Sequence, residues 1–340
     1  MPSLVVTVDT EEEGLWGGEY RRTGNTVENV RGVPRFQALC ERFGIRPTYL
    51  VDAPVVDDDR AADILQSIHA EGRCEIGTHV HPWCNPPYEE EITERNSFLC
   101  NLPESLQRRK IEWLTGRIEE RFGRRPTSFR AGRYGLDAAG ARILADLGYN
   151  VDSSVIPFTD YSAQGGPNFD AAPCAPYVVA EDDLTRPARA GRLLEAPVTV
   201  GYSRKNFEGA HAARKRAMAS RWRKLRLVGL LDRLGIARRI KLSPEQADAK
   251  AMIRLIDASI ARGAECLVLM FHSSSLLPGH SPYVRDASAL EGFLDRLASL
   301  FEHAVEGRGC SQETLTGIAE RLPARSARDL ASRRVVSVMA

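Results

Sequence analysis

The chain has 340 residues, 43% hydrophobic and 27% charged, and its 46 Lys and Arg almost cancel its 45 Asp and Glu. Such a composition belongs to a folded globular chain; it excludes an acidic disordered chain and argues against a globally basic nucleic-acid binder. No run of 18 apolar residues offers a transmembrane helix, and the seven scattered Cys, odd in number and without a C-x-x-C pair, fit neither a disulfide framework nor a structural zinc site.

Met1-Pro2-Ser3 leads straight into an apolar strand pattern with no basic leader, so a cytoplasmic location is expected. Residues 4–8 are apolar or β-branched throughout, which suits a strand buried on both faces, and they stop at Asp9-Thr10-Glu11-Glu12-Glu13. Phe36, Leu39, Cys40 and Phe43 recur at helical spacing over 33–43, with Gly44 as the stop. Strands follow at 47–51 and 74–78, separated by an amphipathic helix at 60–70, and His79-Val80-His81 comes directly after the second of them. A long helix at 105–122 precedes a strand at 127–130, and a helix at 137–147 begins at Asp137, a good N-cap. Further strands are read at 150–155 and 193–200. A helix at 243–262 carries Pro244 in its first turn, a seventh strand spans 266–271 and ends in His272, and a helix covers 287–305.

This alternation predicts a parallel sheet with crossover helices, and seven repeats favour a barrel over an open sheet. No G-x-G-x-x-G follows any strand, which removes the main support for a dinucleotide fold. Two stretches break the rhythm. Residues 157–192, rich in Pro, Gly, Ala and Asp, read as a long loop excursion. Residues 204–241 carry 13 Lys and Arg against Glu208 and Asp232, a net of +11, so the remainder of the chain sums to −10. Within that segment Ala213, Ala217, Met218, Trp222, Leu225, Val228, Leu231 and Leu234 line one helical face. Either the face docks on the barrel or the helix lies at an anionic membrane surface, where each basic residue contributes about 1 kcal/mol. The expected layout is one barrel over 1–323, including both stretches, and a loose tail at 324–340.

Ionisable residues stand after the C-terminal ends of strands that lie far apart in sequence: Asp9 and Glu11, His79 and His81, Arg130, Asp152, and His272. In a parallel barrel these ends gather on one face, where active sites are built. Residues at i and i+2 of an extended chain point to one side, so Asp9 and Glu11 share a side, as do His79 and His81. Two imidazoles and a carboxylate suit Zn²⁺ or another divalent metal with positions left for water, a second carboxylate can take a proton, and a separate histidine can give one to a leaving amine. The set fits metal-assisted hydrolysis of an amide or ester.

The phrases Val8-Asp9-Thr10-Glu11, Glu75-Ile76-Gly77-Thr78-His79-Val80-His81, Phe129-Arg130-Ala131-Gly132-Arg133-Tyr134-Gly135, Asp152 and Leu269-Met270-Phe271-His272 come in the order of the polysaccharide deacetylases with NodB homology, which the chain resembles over about residues 4–320. The run His272-Ser273-Ser274-Ser275-Leu276-Leu277-Pro278-Gly279 is similar to a subgroup tied to surface-polysaccharide gene clusters, O-antigen synthesis among them. The resemblance implies a distorted (β/α)₇ barrel, here with a basic helical insertion, and a divalent metal, often zinc, held by one carboxylate and two histidines. By position it implies Asp9 as general base, Glu11 with His79 as metal ligands, Arg130 orienting the base, the Tyr134 backbone N–H at an oxyanion, and Asp152 and His272 in the later motifs, with His272 as general acid.

This chain departs from the family at position 83, which is Trp where many members carry the second histidine, so His81 must ligate from the nearer position. The opening motif has no adjacent aspartates, so Asp9 and Glu11 can exchange roles and Asp9 can itself ligate, and Arg133 lengthens the third motif by one residue. The reading that follows is a metal-dependent hydrolase removing an N-acyl group from a sugar, presented as an N-acylated sugar, a nucleotide-sugar or a lipid-linked oligosaccharide. The alternatives are a catalytically silent carbohydrate-binding barrel, favoured by the altered histidine spacing, and a membrane-surface or nucleic-acid binder acting through 204–241, with no nucleic acid expected on the leading reading. A cytoplasmic enzyme meets a precursor more readily than a finished polymer.

Overall fold

The computed structural model describes residues 1–219 and 238–322. In chain order the strands among them are β1 (Ser3–Thr10), β2 (Thr48–Val51), β3 (Glu75–Val80), β4 (Ser128–Ala131), β5 (Val151–Asp152) and β6 (Tyr177–Ala180). They continue with β7 (Asp183–Pro187), β8 (Leu194–Glu195), β9 (Val200–Gly201), β10 (Ile240–Lys241), β11 (Cys266–His272) and β12 (Ser311–Glu313). Seven of them, in the spatial order β11-β1-β2-β3-β4-β5-β8, pair in parallel and curl into the expected barrel-like sheet. The two edges of the curl meet through isolated bonds: Thr199 N–H donates to Val268 O (3.0 Å) and Met270 N–H to Leu242 O (3.1 Å). β1 lies at the centre, wholly buried, and β12 pairs with its first half on the edge that β2 takes in its second half.

The parallel register sorts side chains by parity. Val5, Leu50, Val151, Leu194, Cys266 and Val268 point into the barrel and form an apolar cluster that Leu315, Ile318, Ala319 and Leu322 close from below. Leu4, Val6, Val8, Tyr49, Phe129, Leu269 and Phe271 point outward and meet the helices in the larger core. Phe271 there packs edge-on against Phe36 and Phe293, with ring centroids 5.0 and 5.3 Å apart; truncating such a ring to Ala costs about 3–5 kcal/mol. The interior floor is therefore largely apolar, with Ser128 beside Leu50 as a buried polar residue within it.

Five helices begin on an aspartate whose carboxylate accepts an N–H of the first turn: Asp52, Asp58, Asp137, Asp248 and Asp286. Each such cap is worth about 0.5–2 kcal/mol. One of them corrects the sequence expectation. The helix placed at 243–262 is Ala249–Ala261, because Asp248 caps it, and Pro244 stands before it in a turn. The excursion at 157–192 is also not a plain loop: β6 and β7 form an antiparallel hairpin, and β6 extends the sheet antiparallel to β8. Of the basic segment, the helix Phe207–Ala219 and β10 are described, with Ala217 buried and Met218 exposed. Residues 220–237, with Trp222, Leu225, Val228, Leu231 and Leu234, lie outside the described residues, as does the tail expected at 324–340. No described helix is long and apolar enough to cross a membrane.

Candidate metal and acid–base site

The C-terminal ends of the inward-facing rows carry Asp9, Glu11, His79, Arg130 and His272. Asp9 lies beside His272 across the β1–β11 pairing, and His79 beside Arg130 across β3–β4. β3 runs through Val80, two residues beyond its expected end, so the chain stays extended and His81 joins His79 on one side. Their Nε2 atoms converge on one oxygen: Glu11 Oε2 is 3.2 Å from His79 and 3.4 Å from His81. All three side chains are buried. Gly132 is needed at this point, since a Cβ there would sit 2.2 Å from the His81 ring and 2.8 Å from Val80 O.

The other nitrogen of each ring settles its tautomer. His79 Nδ1 is 2.9 Å from Arg130 O, an acceptor only, so Nδ1 carries the proton. His81 Nδ1 is 2.7 Å from Glu12 Oε2. Both rings thus turn Nε2 toward Glu11 with Nδ1 hydrogen-bonded on the far side, the arrangement in which a neutral histidine ligates a metal and a carboxylate or carbonyl steers it from behind. The donor atoms of Glu11, His79 and His81 lie within 4.8 Å of one another, so the residues present fit a divalent cation.

Glu12, which the sequence pattern leaves in a solvated acidic turn, is buried at 2% exposure. Besides His81 it accepts from Trp83 Nε1 (2.6 Å) and Cys84 Sγ (3.5 Å), and its N–H donates to Asp52 Oδ2 (2.8 Å). Burial works against the Glu12 charge, but His81 and a hydrogen bond shared with Asp52 hold its carboxyl down to about 2. Burial and the Glu12 charge push the Asp52 carboxyl well above its ordinary range. Trp83 stacks on His81 with centroids 4.4 Å apart. The tryptophan at position 83 therefore braces the His81 ring.

Arg130 is wholly buried beneath Asp9. It donates to Asp9 Oδ1, to Thr7 Oγ1 (3.0 Å), and to Ser153 O and Oγ (2.8 Å each). Burial raises the Asp9 carboxyl, but Arg130, with His79 and His272, outweighs it and holds Asp9 at about 2. Removing one partner of such a pair costs about 3–5 kcal/mol. Across from Asp9, His272 Nδ1 is 2.9 Å from Glu245 Oε2, whose Oε1 accepts the His272 N–H (3.1 Å) and Ser275 Oγ (2.6 Å). Burial depresses the His272 imidazole, yet Glu245 and Glu11 lift it to about 9. Glu245 went unread in the sequence because it was assigned to a helix; the Asp248 cap leaves it in the preceding turn, free to reach His272.

Asp152 is not at the rim. Its register partners are Phe129 and Glu195, so alternation sends it outward, and its neighbour Ser153 takes the inward position on Arg130. Asp152 accepts from Ser154 N and Oγ, and burial raises its carboxyl beside Glu195. Tyr134 does reach the cleft, and both it and Arg133 are left-handed, with φ of 59° and 54°. Such strain, about 1–3 kcal/mol per residue, concentrates at functional sites. The Tyr134 hydroxyl accepts from Lys241 Nζ (2.7 Å), a lysine the pattern left in the basic segment. Leu15, Trp16, Tyr20, Trp83, Arg133 and Tyr134 wall a cleft of 180 Å³ above the ionisable groups.

The fold recurs in solved structures. The chain is similar to a provisionally assigned polysaccharide deacetylase from Mycobacterium smegmatis (17% identity, TM-score 0.52, covering 95% of this chain and 91% of that one). It is also similar to a provisionally assigned glycoside hydrolase/deacetylase from Parabacteroides distasonis (13% identity, TM-score 0.61, 94% and 71%). A third such structure is a provisionally assigned polysaccharide deacetylase from Pseudomonas aeruginosa PAO1 (14%, 0.50, 94% and 89%). At these identities the likeness is one of fold. No family profile matches the chain, and no curated protein matches it in sequence.

Proposed function

We propose that the chain is a metal-dependent hydrolase that removes an N-acyl group, acetyl by the resemblance above, from a sugar of a surface polysaccharide or its precursor. The observation that carries the reading is the meeting of two imidazole Nε2 atoms and the Glu11 carboxylate beside an Asp9–Arg130 pair and a His272–Glu245 pair on adjacent strands. The deacetylase descriptions of the three similar structures support it by analogy of fold.

Glu11, His79 and His81 hold the cation. When bound, zinc or a similar ion supplies Lewis acidity at the acyl oxygen and makes water there more acidic. Asp9, fixed by Arg130, takes the proton as the water oxygen bonds to the acyl carbon. The imidazolium of His272, kept charged by Glu245, gives its Nε2 proton to the nitrogen as the C–N bond breaks, leaving carboxylate and amine. The Arg130 contact to Asp9 and the two imidazoles at Glu11 support, of the two arrangements that the opening motif allows, the one with Asp9 as base and Glu11 as ligand. The histidine spacing that favoured a silent barrel loses its force, because the extended chain through Val80 brings both rings to Glu11.

Elemental analysis of untagged protein, paired with acetate and formate release from N-acylated sugar precursors with and without added zinc, tests the reading. One zinc per chain and release that chelation abolishes are expected. A metal-free preparation that takes up no zinc and releases no acid sinks it.

A further inference from the structure

Among the ionisable groups that line the cleft, Arg133 is the one the proposed reaction leaves unused. Its guanidinium is held rather than free. It donates to Ser97 Oγ and to Gln164 Oε1 (3.0 Å), lies 4.1 Å from the Phe98 ring centroid, and faces the Tyr20 ring at 5.8 Å. Its acidic neighbour Glu94 stands 3.4 Å away and is 66% exposed, against 21% for Arg133, so water screens most of that attraction. The left-handed backbone at 133 and 134 places this cation in the cleft wall beside Tyr134.

Two more cations, Arg239 and Lys241, stand outside the cleft's own lining, on the side of Tyr134. Tyr161 stacks on Tyr134, with centroids 6.1 Å apart at 16°. Burial pushes the Tyr161 phenol up to about 12 against the pull of Arg239 and Arg133. Arg239 donates to Phe158 O (2.7 Å) and Thr159 Oγ1 (3.0 Å), both neutral, and among the described residues no acid lies at ion-pair distance from it. Lys241, behind Tyr134, likewise has a neutral partner for its hydrogen bond and no acid at that distance among the described residues. One side of the cleft thus presents Arg133 on its lining with Arg239 and Lys241 beyond it, and among the described residues Glu94 alone stands at ion-pair distance from any of the three.

We propose that this wall recognises an oxyanion, phosphate or carboxylate, on the N-acylated amino sugar, with Arg133 as the contact residue. The inference rests on the sugar-hydrolase reading and narrows its substrate to anionic sugars. A planar guanidinium preset by Ser97, Gln164 and Phe98 meets an oxyanion with little further ordering. Trp16 and Tyr20 offer aromatic faces for the sugar ring in the same cleft.

The test is titration calorimetry on zinc-supplemented full-length protein, with acetate release followed in parallel. The probes are methyl N-acetylglucosaminide, N-acetylglucosamine 1-phosphate, UDP-N-acetylglucosamine and N-acetylglucosaminuronate. At least one anionic probe is expected to bind roughly 10- to 100-fold more tightly than the neutral glycoside, the range of a charge-assisted pair. Which one does so separates a phosphate source from a carboxylate source. Arg133→Gln erases the preference, and Arg133→Lys restores part of it. Equal affinities, no binding of any anionic probe at millimolar concentration, or a preference that survives Arg133→Gln overturns the inference. Tight anion binding without acid release from any probe leaves the anion site standing and removes the hydrolase reading.

Discussion

Two histidine–carboxylate pairs flank the same cleft, and they differ in what surrounds them. His81 and Glu12 are buried among Trp83, Cys84 and Asp52, and the ring turns its Nε2 to Glu11. His272 and Glu245 stand at the end of β11, with the imidazole side chain 20% exposed and its ring 5.1 Å from the half-exposed Trp16. On the proposed function, the same residue pair serves as a steered ligand where it is locked and faces another carboxylate, and as a proton donor where it opens on the cleft. What decides the role is the direction of the second nitrogen, not the pairing itself.

The largest expected effect breaks the donor side. His272→Ala should fold, retain its zinc by elemental analysis, and lose about 10²–10⁴ in rate of acid release; loss of metal along with activity would place His272 in the wrong half of the comparison. On the ligand side, Glu12→Gln should weaken zinc binding by about 10- to 100-fold in competition with a chromophoric chelator while leaving the alkaline edge of the pH profile in place. Glu245→Gln should do the reverse, holding zinc and moving that edge from near pH 9 toward 6.5. The sign follows from a raised imidazole pKa: its contribution to stability is complete below 6.5 and disappears as the pH rises through 9. The gap in Tm between native protein and Glu245→Gln should accordingly be widest below pH 6.5 and close above 9; a gap that grows with pH contradicts the pair. The smallest effect belongs to Asp152→Asn, expected to lower stability by about 0.5–3 kcal/mol in urea unfolding without moving either the zinc affinity or the pH edge.

The residues placed well from sequence were those whose positions depend on strand ends and alternation alone. Asp9, Glu11, His79, His81, Arg130 and His272 all follow apolar runs of one strand each, and a parallel barrel gathers such ends at one rim. Asp152 shows the limit of that argument. Its strand pairs with β4 one residue away from the register that would turn it inward, and nothing in residues 150–155 reports a partner's register. Glu12 hid in an acidic run because burial among Trp83, Cys84 and Asp52 is a tertiary fact. Glu245 hid because a helix start is uncertain until its cap is known. Arg239 and Lys241 sit inside a stretch whose summed charge, read as a surface property, masks two side chains that hydrogen-bond into the fold, Arg239 to Phe158 O and Thr159 Oγ1 and Lys241 to the Tyr134 hydroxyl.

The placement of β1 has a consequence for how the chain comes to act at all. Thr7 Oγ1 donates to Leu269 O across 262 residues of sequence, and both neighbours of the first half of β1 come from beyond residue 265. On the ribosome the first strand made must wait for the last, with its β11-side edge unpaired through most of synthesis, a state in which edges recruit the wrong strands. High sequence separation also slows refolding, because loop closure must precede the contacts that reward it. Asp9 and His272 become neighbours only when β11 docks, so the chain cannot acquire its proton-transfer pair before its barrel is complete.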